Sequence, residues 1–131
     1  MLSYKVYFAD IGLLNAKSAV PKNIVLTGNG LGGEAKGAMT ENYVAQELAF
    51  KGHQLYYWES GGKAEIDFLL QSCEGIIPVE VKSDQNVQAK SLKEYTKRYS
   101  PPYSIRISAR NFGFENKIKS VPLYAAFCIK H

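Results

Sequence analysis

Three acidic residues and a lysine stand at spacings that suit metal-assisted hydrolysis. Asp67, Glu80 and Lys82 lie in two neighbouring apolar segments, and Glu41 lies upstream of both. In Glu65-Ile-Asp67-Phe-Leu-Leu70 and Ile77-Pro-Val-Glu80-Val-Lys82, ionisable side chains alternate with apolar ones. A strand sends successive side chains to opposite faces. The alternation therefore predicts Ile66, Phe68 and Leu70 on one face with Glu65 and Asp67 on the other. In the second segment it predicts Ile77, Val79 and Val81 opposite Glu80 and Lys82. With Cys73 and Glu74 as the two loop residues of a hairpin, opposed positions add to 147 and Asp67 faces Glu80. Their Cβ atoms would lie roughly 4.5–5.5 Å apart, and like charges so placed destabilise a sheet. A proton on one carboxyl, or a cation between the two, relieves the repulsion. A hard ion such as Mg²⁺ suits, because it takes oxygen ligands from one or two carboxylates together with waters and phosphate. Two carboxylates on different sides of the sheet, or an arginine filling the space between them, would exclude this chemistry.

Lys82 shares its face with Glu80 and is placed to hold an attacking water or a phosphate oxygen. Glu41 is a third acid, on a helical stripe with Val44, Ala45 and Leu48. That stripe should pack on a sheet while Glu47 points to solvent. An inward-facing acid is unusual unless it is paired or bound to metal. The plainer alternative is the solvated face of a half-covered sheet, where acids and lysines alternate with apolar residues for no chemical reason. Glu59 and Glu65 have no such support and read as surface residues.

The elements that must position these groups follow from local pattern. Tyr4–Ala9, rich in aromatic and β-branched residues, favours a strand, and Asp10–Leu14 a short helical turn. Residues 21–37 carry Pro21 and five glycines and read as loop, with at most a brief strand at Ile24–Leu26. A helix is expected from Ala38 to Lys51, closed by Gly52 at C′. Gln54–Trp58 reads as a strand, Ser60–Lys63 as a turn, and Ala64–Gln71 and Ile76–Ser83 as the two arms of the hairpin. Val87–Tyr99 is a second helix, with Leu92, Tyr95 and Tyr99 along one face, stopped by Pro101-Pro102. Tyr103–Ser108 is a further strand, and Val121–Ile129 an apolar segment of open type. From Ala38 the order is α-β-β-β-α-β: one α/β domain over residues 1–131, with an N-terminal strand and Gly-rich loop (1–37) ahead of a core (38–131).

The acids and their order resemble the PD-(D/E)XK nuclease superfamily. More narrowly, five short motifs resemble the uncharacterised domain found C-terminal to the ATPase module of many prokaryotic AAA+ type ATPases. They are Lys5–Leu14, Gly37–Leu48, Tyr57-Trp58, Ala64–Phe68 and Ile77–Ser83. The resemblance implies a restriction-endonuclease-like fold, a central mixed sheet flanked by helices. It implies metal ligation by Asp67, Glu80 and the main-chain carbonyl of Val81, with Lys82 orienting water and Glu41 completing the site. Mg²⁺ or Mn²⁺ would be the cofactor. The expected activity is hydrolysis of DNA phosphodiesters. The competing expectation is a non-catalytic module that binds DNA or protein as the regulatory tail of an ATPase, and a third is a purely structural domain. No Walker motif occurs in the chain.

Bulk properties fit these readings without choosing among them. The 131 residues are 46% hydrophobic and 21% charged, an ordinary globular composition. A net charge of +4 is compatible with a polyanionic partner. Lys90, Lys93, Lys97 and Arg98 form a basic helical surface that could meet phosphates or simply be solvated. No apolar run approaches the roughly 20 residues of a membrane span, and no secretory leader is evident. Cys73 and Cys128 read as free thiols of a reducing compartment, so a cytoplasmic location is expected. An exposed sheet edge near the N-terminus leaves homodimerisation open. Gly28-Asn-Gly-Leu-Gly-Gly33 matches a dinucleotide fingerprint, but the expected helix starts too late for its N-terminus to meet a pyrophosphate. His53 and His131 are isolated. Tyr56, Tyr57 and Trp58 read as packing residues.

Overall fold

A computed structural model describes residues 4–9, 33–83 and 90–130. The strand expected at Tyr4–Ala9 does not form: the segment is irregular, and the Asn42 side chain takes up the Phe8 main-chain groups. The expected turn at Asp10–Leu14, the strand at Ile24–Leu26, the fingerprint at 28–33 but for Gly33, and the start of the second helix at 87–89 lie outside the described residues. The first described helix, α1 (Gly33–Phe50), begins five residues before the expected start. It ends as the sequence requires. Gly52 adopts φ 86°, His53 N–H donates to the Leu48 carbonyl (3.1 Å) and Gly52 N–H to that of Ala49 (2.9 Å). This paired closure satisfies carbonyls the helix itself leaves open.

Six strands follow: β1 (Tyr56–Glu59), β2 (Glu65–Ser72), β3 (Gly75–Val81), β4 (Ser104–Ser108), β5 (Gly113–Glu115) and β6 (Ile118–Pro122). Helix α2 (Lys90–Tyr99) lies between β3 and β4, and a 3₁₀ turn (Leu123–Cys128) follows β6. The sheet order is β1-β2-β3-β4-β6-β5. The β3–β4 and β4–β6 pairs are parallel and the others antiparallel, so the expected α/β architecture with a mixed sheet is present. The open-type segment resolves into the end of β6 and the 3₁₀ turn. The β5–β6 hairpin was not expected. Its turn is Asn116-Lys117, both with positive φ (51° and 59°), a geometry usually marked by glycine and here carried without one.

Two apolar layers sandwich the sheet. On one face Val44, Ala45 and Leu48 of α1 meet Phe68, Leu70, Ile77, Val79, Ile105 and Ile107, with Ala126 and Ile129 closing the layer. On the other, Leu92 and Tyr95 of α2 meet Ile66, with Trp58, Leu69 and Ile118 at the margin. Trp58 stacks edge-on against Tyr95 and Tyr99 (centroids 5.3 and 5.9 Å), so Trp58 packs on α2 as expected, whereas Tyr56 is exposed.

Ile66 departs from its expected face. The β1–β2 register runs from Tyr56↔Leu69 to Trp58↔Ile66, with one intervening residue on β1 and two, Asp67 and Phe68, on β2. This bulge interrupts the alternation. Ile66 therefore turns toward α2 while Phe68 and Leu70 face α1.

Candidate functional site

The hairpin forms in the expected register. Phe68↔Val79, Leu69↔Pro78, Leu70↔Ile77, Gln71↔Ile76 and Ser72↔Gly75 all add to 147. The ladder stops at Phe68↔Val79, one pair short of Asp67 and Glu80. The direct opposition expected of these two acids is thus replaced by another arrangement. Asp67 Oδ2 accepts a hydrogen bond from the Val81 N–H at 2.7 Å. The carboxylate takes over a main-chain donor at the end of the pairing, next to the bulge.

The bulge also sets Asp67 beside groups of the α1 side. Lys5 Nζ lies 3.9 Å from Asp67 Oδ1 and 3.0 Å from Glu41 Oε1, and it is ion-paired with Glu65. Tyr7 Oη donates to the same Glu41 oxygen at 2.6 Å. The segment carrying Lys5 and Tyr7 is pinned to α1 by Asn42. That buried side chain accepts from Phe8 N–H (2.7 Å) and donates to the Phe8 carbonyl (3.0 Å). Tyr7 packs its ring on Phe68 (5.7 Å). Lys5, Tyr7, Tyr57, Asp67 and Phe68 line a cavity of about 520 Å³.

Glu80 belongs to a second set of contacts, on the other face of the sheet. Val79 and Val81 pack on the α1 side, so Glu80, like its neighbour Arg106, points to the α2 side. The single ion expected between Asp67 and Glu80 does not fit this geometry. The Glu80 side chain is 2% exposed, Lys82 Nζ lies 3.1 Å from its Oε1, and Arg106 is its partner residue on the parallel strand β4. Its Oε2 is buried with no hydrogen-bond partner. Lys82 follows β3 and donates its main-chain N–H to the Ile107 carbonyl (2.8 Å), which holds the residue against β4. Arg106 in turn donates through Nη2 to Ser120 Oγ at 3.0 Å.

Electrostatics follow from burial. Asp67 is pushed up to about 7, first by loss of solvent, then by the charges of Glu41 and Glu80. The Val81 hydrogen bond and Lys5 oppose the shift without cancelling it. Glu80 is also raised by burial, with Lys82 and Arg106 pulling the other way. Burial alone would lower the Lys5 ammonium, but its hydrogen bonds to Glu65 and Glu41 hold it above its ordinary value. Burial, then Glu41, raises the Tyr7 phenol, which stays protonated as a donor.

Of the residues singled out from sequence, Glu41 and Asp67 meet at Lys5, and Glu80 meets Lys82. Val81 joins the two sets through its N–H. Glu41 lies on the inward stripe expected of it. Glu65, expected at the surface, is half exposed yet bound to Lys5. Lys5, Tyr7 and Arg106 carry no acidic motif, so nothing in the spacing of the carboxylates points to them. The signal available was the aromatic N-terminal segment itself, which places Lys5 and Tyr7 two residues apart.

The donors suit a hard cation in kind, and Glu80 Oε2 is a buried acceptor that no protein group satisfies. Among the described residues, however, no three His, Cys, Asp or Glu side chains gather closely enough to hold a metal by themselves. No described helix is long and apolar enough to cross a membrane. No curated protein matches the chain. No solved structure matches it either. Residues 36–126 match the family described as Domain of unknown function (DUF4143) and contain Glu41, Asp67, Glu80, Val81 and Lys82. The chain therefore belongs to the DUF4143 family.

Proposed function

We propose that the head of the β2–β3 hairpin (its open end, away from the Ser72–Gly75 turn) is a divalent-cation site for hydrolysis of DNA phosphodiesters, in the manner of the PD-(D/E)XK nucleases. The observation that carries the reading is Glu80. A carboxylate 2% exposed, with one oxygen unsatisfied and a lysine 3.1 Å from the other, is costly in a purely structural role. Glu80 and the Val81 carbonyl would hold Mg²⁺ or Mn²⁺, with water and phosphate completing the shell, while Asp67 and Glu41, on the α1 side, would act on the ion through their charge. When bound, such an ion makes water a nucleophile near neutral pH and polarises the phosphoryl oxygen. The chain's own residues do the positioning. Lys82, at the partly exposed end of β3, holds a water or a phosphate oxygen beside Glu80. Asp67, its Oδ2 fixed by the Val81 N–H, would bear its negative charge toward the site only when ionised. Cleavage of plasmid DNA with Mn²⁺, lost in Asp67→Asn and Lys82→Ala, tests this reading.

A second reading is favoured by Lys5. Its ammonium is already shared by Glu41, Glu65 and Asp67 and offsets part of their charge, as a resident substitute for a metal. On this reading the domain is a non-catalytic DNA- or protein-binding module, the C-terminal regulatory part of a AAA+ type ATPase. DNA binding that survives Asp67→Asn, without cleavage in either protein, would decide for it.

A further inference from the structure

On the α2 side of the sheet, Lys90, Lys93, Arg106 and Arg110 converge on one cavity of about 760 Å³, beyond the acids described above. Ser120 adds a hydroxyl, and Glu115 is the one carboxylate of the lining. Both lysines lie in the first described turn of α2, which has no acidic residue. Facing two arginines, one from β4 and one from the segment after it, they concentrate positive potential. Arg106 is held rigid by Ser120 at 3.0 Å, and its Nε is buried without an acceptor. A guanidinium fixed at one nitrogen and unsatisfied at another is prepared to meet an oxyanion.

We propose that this cavity binds phosphodiester groups of a polynucleotide and seats its backbone across α2, β4 and the β5–β6 hairpin. The partner's identity as DNA rests on the function proposed above. The phosphate site itself does not, since none of its four cations is among the acid ligands. Arg106 joins the two, neighbouring Glu80 on β4 and lining the cavity, so a strand bound here would run toward the head of the hairpin.

The test is fluorescence anisotropy of the full chain with a short labelled DNA duplex in EDTA, where no cleavage intervenes. If four phosphates are neutralised, log K should fall with log salt at a slope of about −3.6. Lys90→Gln/Lys93→Gln should reduce that slope by about 1.8 and weaken binding roughly tenfold or more at low salt; Arg110→Gln should reduce it by about 0.9. All three side chains are exposed, and unchanged thermal melting would confirm intact folding. Lys51→Gln/Lys63→Gln, the same charge change outside the cavity, should leave binding unaltered. Unchanged affinity in the cavity variants, or equal loss in the control, overturns the proposal. Displacement of the duplex by inorganic phosphate at equal phosphate concentration would overturn the polynucleotide assignment in favour of a small-anion site. Cleavage failure with binding intact would count against the metal chemistry alone.

Discussion

Asp67→Asn should stabilise the protein at alkaline pH and do so far less in mild acid. The native carboxyl is raised from 3.8 to about 7, chiefly by burial. An unfolded aspartate ionises near its ordinary value. Between these limits the native state binds a proton that the unfolded state has released, so stability falls as pH rises through the native pKa. The loss is complete above about pH 8. A shift of about three pKa units corresponds to roughly 4 kcal/mol as an upper bound; partial solvent access reduces this to about 2–3 kcal/mol. Asparagine cannot ionise, and its amide oxygen can still accept the Val81 N–H, so the variant escapes the penalty. For a chain of this size that corresponds to a melting temperature higher by roughly 6–10 °C at pH 8.5, with only about a quarter of that difference at pH 4.5. Thermal unfolding followed by circular dichroism across pH 4–9, in EDTA, measures both curves. Parallel curves would refute the reasoning, since they would mean that Asp67 titrates alike in folded and unfolded chains.

Lys5→Met should cost about 1–2 kcal/mol at low salt, because Glu41, Glu65 and Asp67 lose a shared counter-ion. It should also tighten Mn²⁺ binding if the ammonium and the metal compete; calorimetric titration reads both effects. Gly52→Ala should lower stability by about 1 kcal/mol through left-handed backbone strain, visible as a shift of a few degrees in melting temperature.

Much of the frame was legible because periodicity survives where packing is regular. The stripe Glu41, Val44, Ala45 and Leu48 locates the inner face of α1, and the loop length of the hairpin sets its register to the residue. What failed did so for local reasons. A bulge adds one residue without a glycine to announce it, so Ile66 exchanged faces and Asp67 turned toward Lys5. The β5–β6 hairpin went unseen because Asn116-Lys117 supplies positive φ without the usual Asn-Gly signal. Lys5 and Tyr7 reach the acids from 34 or more positions away in sequence, a proximity created only by the Asn42 clasp on Phe8. The three acids and Lys82 were evident from residue type and spacing. Their division into two cation-compensated sets, joined at Val81, depends on side-chain directions that spacing does not encode.

The most direct test of the hairpin head as a metal site is calorimetric titration of the chain with Mn²⁺ at pH 8, against Glu80→Gln under the same conditions. A saturable site of about one ion per chain in the native protein, absent from the variant, is the predicted result. Identical heats in the two proteins, or none in either, would contradict it.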